Sequence, residues 1–242
     1  MILKRSNGPP SREPLPGATH GEDTNRRKTS RAGSTTRKKL LDAAEKLFAD
    51  QGYDGTSLRD ISEASDCHLA LSTYHFGNKE QMFDEVIHRR AVQLEAQRLA
   101  RLAKIDINAQ SQSETVRQLI EAYCLPLVEA RYSRTKGWQS YVCLMAGMIN
   151  IKRWTPLIQK HFDPCGQVFV STWRTVQPQA PLDSLLNAFS FMVVTTLYTC
   201  SYTDRFGVWK PSDRQSKRNN LAALTNDLIG FVHAGFMVLD QP

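Results

Sequence analysis

Residues 56–80, TSLRDISEASDCHLALSTYHFGNKE, constrain this chain more than any other part of it. Thr56 or Ser57 suits a helix N-cap, because a side-chain oxygen there can accept an otherwise orphaned backbone N–H. Leu58, Ile61 and Ala64 then fall three apart and line one face of a short helix. Ser65-Asp66 interrupts it, and Asp is one of the few residues besides Gly that tolerates the left-handed conformation of a sharp inter-helix turn. A second short segment runs from His68 to Tyr74. Asn78 and Gln81 then have the spacing of a capping box opening a longer helix. Helix, tight turn, helix and supporting helix is the helix-turn-helix plan, in which the second helix enters the major groove of DNA.

The charge is placed unevenly. Residues 1–39 hold ten Lys and Arg against three acids, which accounts for the whole net charge of +7; residues 40–242 hold 21 of each. The segment 1–33 is rich in Pro, Gly, Ser, Thr and Arg, has no apolar periodicity and reads as a disordered basic tail. It has no apolar run of signal-peptide length. Arg26, Arg27, Lys28 and Arg31 either follow DNA phosphates beside the reading helix or form a plain solvated extension; both readings stay open. Residues 36–90 hold eight basic and ten acidic side chains, so phosphate contacts must be local. Arg37, Lys38, Lys39 and Lys79 are the candidates. The five cysteines (67, 124, 143, 165, 200) have neither CxxC nor metal-ligand spacing, which argues against a disulfide scaffold or zinc site and fits a reducing cytoplasm.

Helical periodicity dominates the rest, and no strand-type alternation competes with it. Leu40, Leu41, Ala44, Leu47 and Phe48 form a stripe stopped by Gly52. A long helix is expected from Lys79 beyond Leu102, with others over 115–132 (kinked by Pro126), 138–149, 154–176 (broken near Asp163-Pro164), 182–206 and 219–239. The fold class is therefore all-α: a helix-turn-helix domain over 34–90 and a second helical domain over 91–242. Residues 184–203 carry no charge, but eight of the twenty are Ser, Thr or Asn, so a buried helix is expected rather than a membrane span.

The first of these stretches resembles the DNA-binding domain of the TetR family of bacterial transcriptional repressors. The matching residues are Ala43-Ala44, Leu47-Phe48, Gly52-Tyr53, Thr56, Asp60-Ile61, Ala64, Tyr74-His75-Phe76-Gly77 and Lys79-Glu80. Three positions depart from the family pattern. The turn is Asp66-Cys67 instead of Gly-Val, His68 stands where Ser or Asn is common, and Leu71-Ser72 sets the apolar residue one place early.

The resemblance implies a homodimer that binds a palindromic double-stranded DNA operator, whose last two long helices pair with those of a second subunit. It implies DNA contacts at Thr56, Ser57, His68, Leu69, Ala70, Ser72, Thr73, Tyr74, His75 and Lys79. An effector is expected to bind in the second domain and release the operator. Trp138, Tyr141, Met145, Phe162, Phe169, Trp173, Phe191 and Tyr198 are the expected lining, or plain core. That composition points to an apolar or amphiphilic small molecule, and the resemblance to a fatty-acyl one. No cofactor, metal effector or membrane partner is expected. Nothing in the chain carries GxSxG, a phosphate-cradling loop or a placed carboxylate pair, and His161 near Cys165 is poor evidence for a nucleophile, so an enzyme is not expected. An activator or architectural DNA-binding protein of the same fold is the alternative to a repressor.

Overall fold

A computed structural model describes the backbone of residues 20–201 and 219–240, and side chains within 33–201 and 222–239. Among these residues no strand occurs. The helices are α1 (His20–Gln51), α2 (Leu58–Ala64), α3 (Leu69–Phe76), α4 (Lys79–Leu102), α5 (Gln112–Tyr132), α6 (Trp138–Met148), α7 (Thr155–Val176), α8 (Leu182–Ser201) and α9 (Asn219–Met237). Single 3-10 turns sit before α7 at Lys152–Trp154 and after α9 at Val238–Asp240. The chain is all-α, as its periodicity predicts.

The apolar stripe of α1 is buried at Leu40, Leu41, Ala44 and Phe48, and Gly52 ends the helix at φ 74°. Helix α1 begins earlier than the expected end of the tail at residue 33. A helix nucleated by the packed residues 40–48 extends backwards cheaply, because propagation costs far less than nucleation. The rest of the expected tail, residues 1–19, lies outside the described residues, as do the expected end of α8 beyond Ser201 and the Lys/Pro/Ser/Arg-rich loop before α9.

Helix α4 is about 36 Å long at 1.5 Å per residue. It runs from the first three helices into the second layer, where it packs on α5 and α7. Its inner face buries Phe83, Val86, Ile87, Leu94 and two arginines, Arg90 and Arg98. Helix α7 differs from expectation, because it continues unbroken through Pro164. A helix-interior Pro costs about 3 kcal/mol. Burial of Cys165, Gly166, Phe169 and Trp173 on the following turns offsets that cost. Helix α5 likewise carries Pro126 without interruption. Helices α8 and α9 lie side by side, both packing on α5, and α8 also packs on α6.

Candidate functional site

Helices α2 and α3 are joined through Asp66, whose φ of 53° is the one positive value at a non-Gly residue among those described. Ser57 caps α2: its Oγ accepts from the Asp60 N–H at 3.1 Å, and the Asp60 carboxylate accepts from the Ser57 N–H at 2.8 Å. The side-chain and backbone bonds from Ser57 hold the exposed Asp60 carboxyl below its usual pKa. Asn78 and Gln81 form the second capping box, at the start of α4. Helix α3 opens at His68 with no side-chain cap bond.

What fixes the rotation of α3 is its buried side. Ser72 is fully buried and its hydroxyl meets that of Ser62 on α2 at 2.5 Å; Phe76 is buried beside it. Leu69, Ala70, Thr73 and Tyr74 face outwards, with Tyr74 81% exposed and Leu69 47%. The hydroxyl of Thr73 bonds back to the Leu69 carbonyl. His68 is exposed and His75 half-buried, its ring edge-on to Tyr74.

Three of the expected DNA contacts take other roles. Ser72 is a helix–helix tie, because the α2–α3 packing consumes its face. Thr56 is buried and its Oγ1 donates to the carbonyls of Leu47 and Gly52, bracing the α1–α2 loop. Lys79 is half-buried, with its Nζ donating to the Tyr53 and Thr56 carbonyls at 3.0 and 2.9 Å and lying 4.2 Å above the Tyr53 ring. It is a strut between α4 and that loop. Arg37 also has a partner, Glu85 at 2.7 Å, and stacks on Phe76.

Below this domain, α4 to α8 enclose a cavity of about 70 Å³. It is walled by apolar side chains, among them Leu94, Leu127, Met145 and Phe162, with Arg98 and Tyr141. It adjoins a cleft of about 610 Å³ between α7 and α8, the two sharing Tyr123, Ile149, Ile158, Phe162 and Val193 as walls. Of the expected lining, Tyr141, Met145 and Phe162 are there. Phe169 and Trp173 are plain core, Trp173 stacking on Phe236. Trp138 packs under the Arg90 guanidinium at the α1 boundary. Phe191 and Tyr198 point out of the bundle, 69% and 38% exposed. Phe231 of α9 is exposed as well, as are Leu182, Leu186 and Val194 of α8, which border the α7–α8 cleft.

Helix α6 joins the cavity to the first domain. Tyr141 and Met145 line the cavity, and the N-terminus of the helix rests on a buried ion cluster. Glu45 of α1 accepts Arg90 Nε and Nη2, both at 3.0 Å, and also binds Arg89; Arg90 Nη2 donates to the Lys136 carbonyl at 2.9 Å. Gly137 sits against this cluster at φ 94°, where an added Cβ would lie 2.1 Å from Glu45 Oε1. Beyond the other end of α6, Arg153 grips Asp54 at 3.0 and 2.7 Å and Trp154 packs edge-on to Tyr53. The α6 segment is thus tied at both ends to the helix-turn-helix layer.

The three buried cysteines, Cys124, Cys165 and Cys200, are held as thiols. Burial pushes the Cys124 thiol up to about 11 and Cys200 up to about 12, and raises Cys165 as well. His161 bonds to Asp84, not to Cys165.

Sequence reading missed Arg90 and Arg98. The signal was present, since both fall on the apolar stripe of α4, four residues either side of Leu94, where a charged residue must find a buried role.

Comparison with known proteins agrees with this geometry. A model described as "Bacterial regulatory proteins, tetR family" matches residues 40–86, and one described as "Tetracyclin repressor-like, C-terminal domain" matches 121–235. The chain is 44% identical over 45 residues to IcaR of Staphylococcus epidermidis, an HTH-type negative transcriptional regulator of the biofilm operon icaADBC. That match spans 19% of this chain and 24% of the relative. It is 37% identical over 60 residues to the HTH-type transcriptional regulator AcrR of Shigella flexneri, spanning 25% and 28%. The matched stretch is therefore about a quarter of each relative's length. Among solved structures, the ketosteroid transcriptional regulator KstR2 of Mycobacterium tuberculosis superposes with a TM-score of 0.55 at 18% identity, covering 81% of this chain and 93% of that one. A TetR-family regulator of Mesorhizobium loti gives 0.53 at 18% identity, covering 85% and 97%. With both of its domains matched in order and the fold shared along most of its length, the chain belongs to the TetR family of bacterial regulatory proteins.

Proposed function

We propose that this chain is a ligand-responsive DNA-binding transcriptional regulator, a repressor that grips a palindromic operator as a homodimer and lets go when a small molecule enters the α4–α8 cavity. The exposed face of α3 carries the reading. Ser72 and Phe76 anchor the helix from behind, while Leu69, Ala70, Thr73 and the 81% exposed Tyr74 are left for base edges and sugar-phosphate. His68 and His75 flank that face, Ser57 and the N-terminus of α4 are left for phosphates, and Thr56 and Lys79 hold its frame. DNA as the partner places the protein in the cytoplasm.

Dimerisation rests on the outer face of α8 and α9. Phe191 and Tyr198 of α8 and Phe231 of α9 are large apolar side chains left exposed, and such exposure favours an interaction surface. A second copy laid across it by a two-fold axis covers both faces, and presents two α3 helices to successive major grooves. Repression is supported by IcaR, a negative transcriptional regulator with which this chain shares 44% identity over 45 residues.

Release follows from α6. A ligand that binds more tightly when α6 is displaced shifts the population towards that state. Displacing α6 pulls on Lys136, Arg90 and Glu45 at one end and on Arg153 and Asp54 at the other, and so moves the reading heads. Selection of bound duplexes from a random library tests the proposal. The expected product is a pseudo-palindrome with half-sites about one helical turn, or a multiple of it, apart. Failure to enrich any sequence would overturn it.

A further inference from the structure

We propose that the effector is an organic monoanion, a carboxylate on an apolar body, and that Arg98 with Tyr141 holds its head at the inner end of the cavity. The proposal deepens the regulator reading and rests on it for the word effector. Arg98 is 6% exposed. Its Nε donates to the Tyr123 carbonyl at 2.9 Å and its guanidinium lies 3.8 Å over the Tyr123 ring. These two contacts orient the fork but neutralise nothing. Among the described residues no carboxylate forms an ion pair with it within 4.0 Å, although the other buried arginine, Arg90, has one in Glu45. A guanidinium cannot shed its proton, and a buried charge without a counter-charge is costly.

Tyr141 supplies the second, independent observation. It too lines the cavity, it is fully buried, and its hydroxyl has no hydrogen-bond partner among the described residues. A buried phenol normally finds an acceptor. A carboxylate satisfies both groups together, because it accepts from a guanidinium in fork geometry and has lone pairs left for the phenol. An uncharged ligand leaves the cation unmatched, and a cationic one adds repulsion.

The walls decide the orientation. Arg98 and Tyr141 border the inner cavity and are absent from the cleft, whose α8 wall is mostly apolar (Leu182, Leu186, Phe189, Val193, Val194) and whose one arginine, Arg174, is exposed to solvent. The head therefore lies inward and the apolar body runs out between α7 and α8.

Calorimetry on the full chain without DNA tests this with two matched panels: octanoate, 1-octanol and protonated octylamine, and 4-phenylbutyrate with 4-phenylbutanol. The carboxylate of each panel is expected to bind roughly tenfold or more tighter than its alcohol, and the amine not at all. Arg98→Gln is expected to abolish the preference, and Tyr141→Phe to reduce it about fivefold, the worth of one hydrogen bond. Equal binding of acid and alcohol, no binding of either carboxylate, or a preference that survives in folded Arg98→Gln overturns the proposal. Should Arg98→Gln not fold, the wild-type panels and Tyr141→Phe decide it alone. The outcome is separable from the regulator reading. Lost anion preference with intact operator selection sinks only the anchor, and retained preference without operator selection sinks only the regulator.

Discussion

Glu45→Gln is the perturbation that asks most of the coupling scheme. The carboxylate is 1% exposed at its side chain and binds Arg90 and Arg89, whose side chains are 9% and 18% exposed. Gln keeps the shape, removes the charge and turns one acceptor into a donor facing two guanidinium groups. Breaking a buried pair by removing one partner costs about 3–5 kcal/mol, mostly because the remaining charge is left uncompensated. In a chain of this size that lowers Tm by roughly 6–20 °C. Thermal and urea melts at one fixed protomer concentration give the loss, since a dimer's stability depends on concentration. The double-mutant cycle with Arg90→Met isolates the pair: the double variant is expected to recover at least about 1 kcal/mol over the sum of the singles. A loss under about 1 kcal/mol with additive singles would refute the view that this cluster ties α1, α4 and α6 together.

Three further outcomes follow from other parts of the fold. Ser72→Ala breaks the buried Ser62–Ser72 tie and is expected to cost about 1 kcal/mol in a urea melt, while weakening DNA binding far less than Thr73→Ala or Tyr74→Ala; an equal effect on DNA affinity would return Ser72 to the reading face. Burial pushes the Asp84 carboxyl up, but the bonds from Lys160 and His161 and their charges outweigh it and hold it below its usual value. With the folded pKa under the unfolded one, the stabilising tie between α4 and α7 is complete above about pH 4 and is lost as pH falls through the lowered value, so Asp84→Asn is expected to flatten the acid limb of stability measured from pH 6 to 3. Phe231, 73% exposed, is expected on substitution by Asp to turn a sedimenting dimer into a helical monomer; an unchanged dimer would move the interface elsewhere.

Much of the reading domain was legible because its signals are local. The Asp66 turn, the Asn78–Gln81 capping box and the Gly52 stop each depend on residues a few positions apart, and each appears where the spacing places it. What the sequence could not show depends on which neighbour a helix face meets. Ser72 reads as a polar residue on a reading helix until α2 brings Ser62 against it. Phe191 and Tyr198 carry the same apolar signal as Met145, yet α8 turns them out of the bundle while α6 turns Met145 in. Pro164 reads as a break, and only the packing of Cys165, Gly166 and Phe169 on the turns that follow it overrides it. Arg98 escaped notice because charge is usually read as surface, although its place on the α4 stripe put it inside.

The central claim is that α3 reads DNA with its outward face, and titration of Tyr74→Ala against the selected operator tests it most directly. Tyr74 is 81% exposed, its ring meeting that of the neighbouring His75, so its loss is expected to leave Tm within about 1–2 °C of wild type. Operator affinity is expected to fall by about 1–3 kcal/mol, a loss of roughly five- to 150-fold. Unchanged affinity in a folded Tyr74→Ala would contradict the claim.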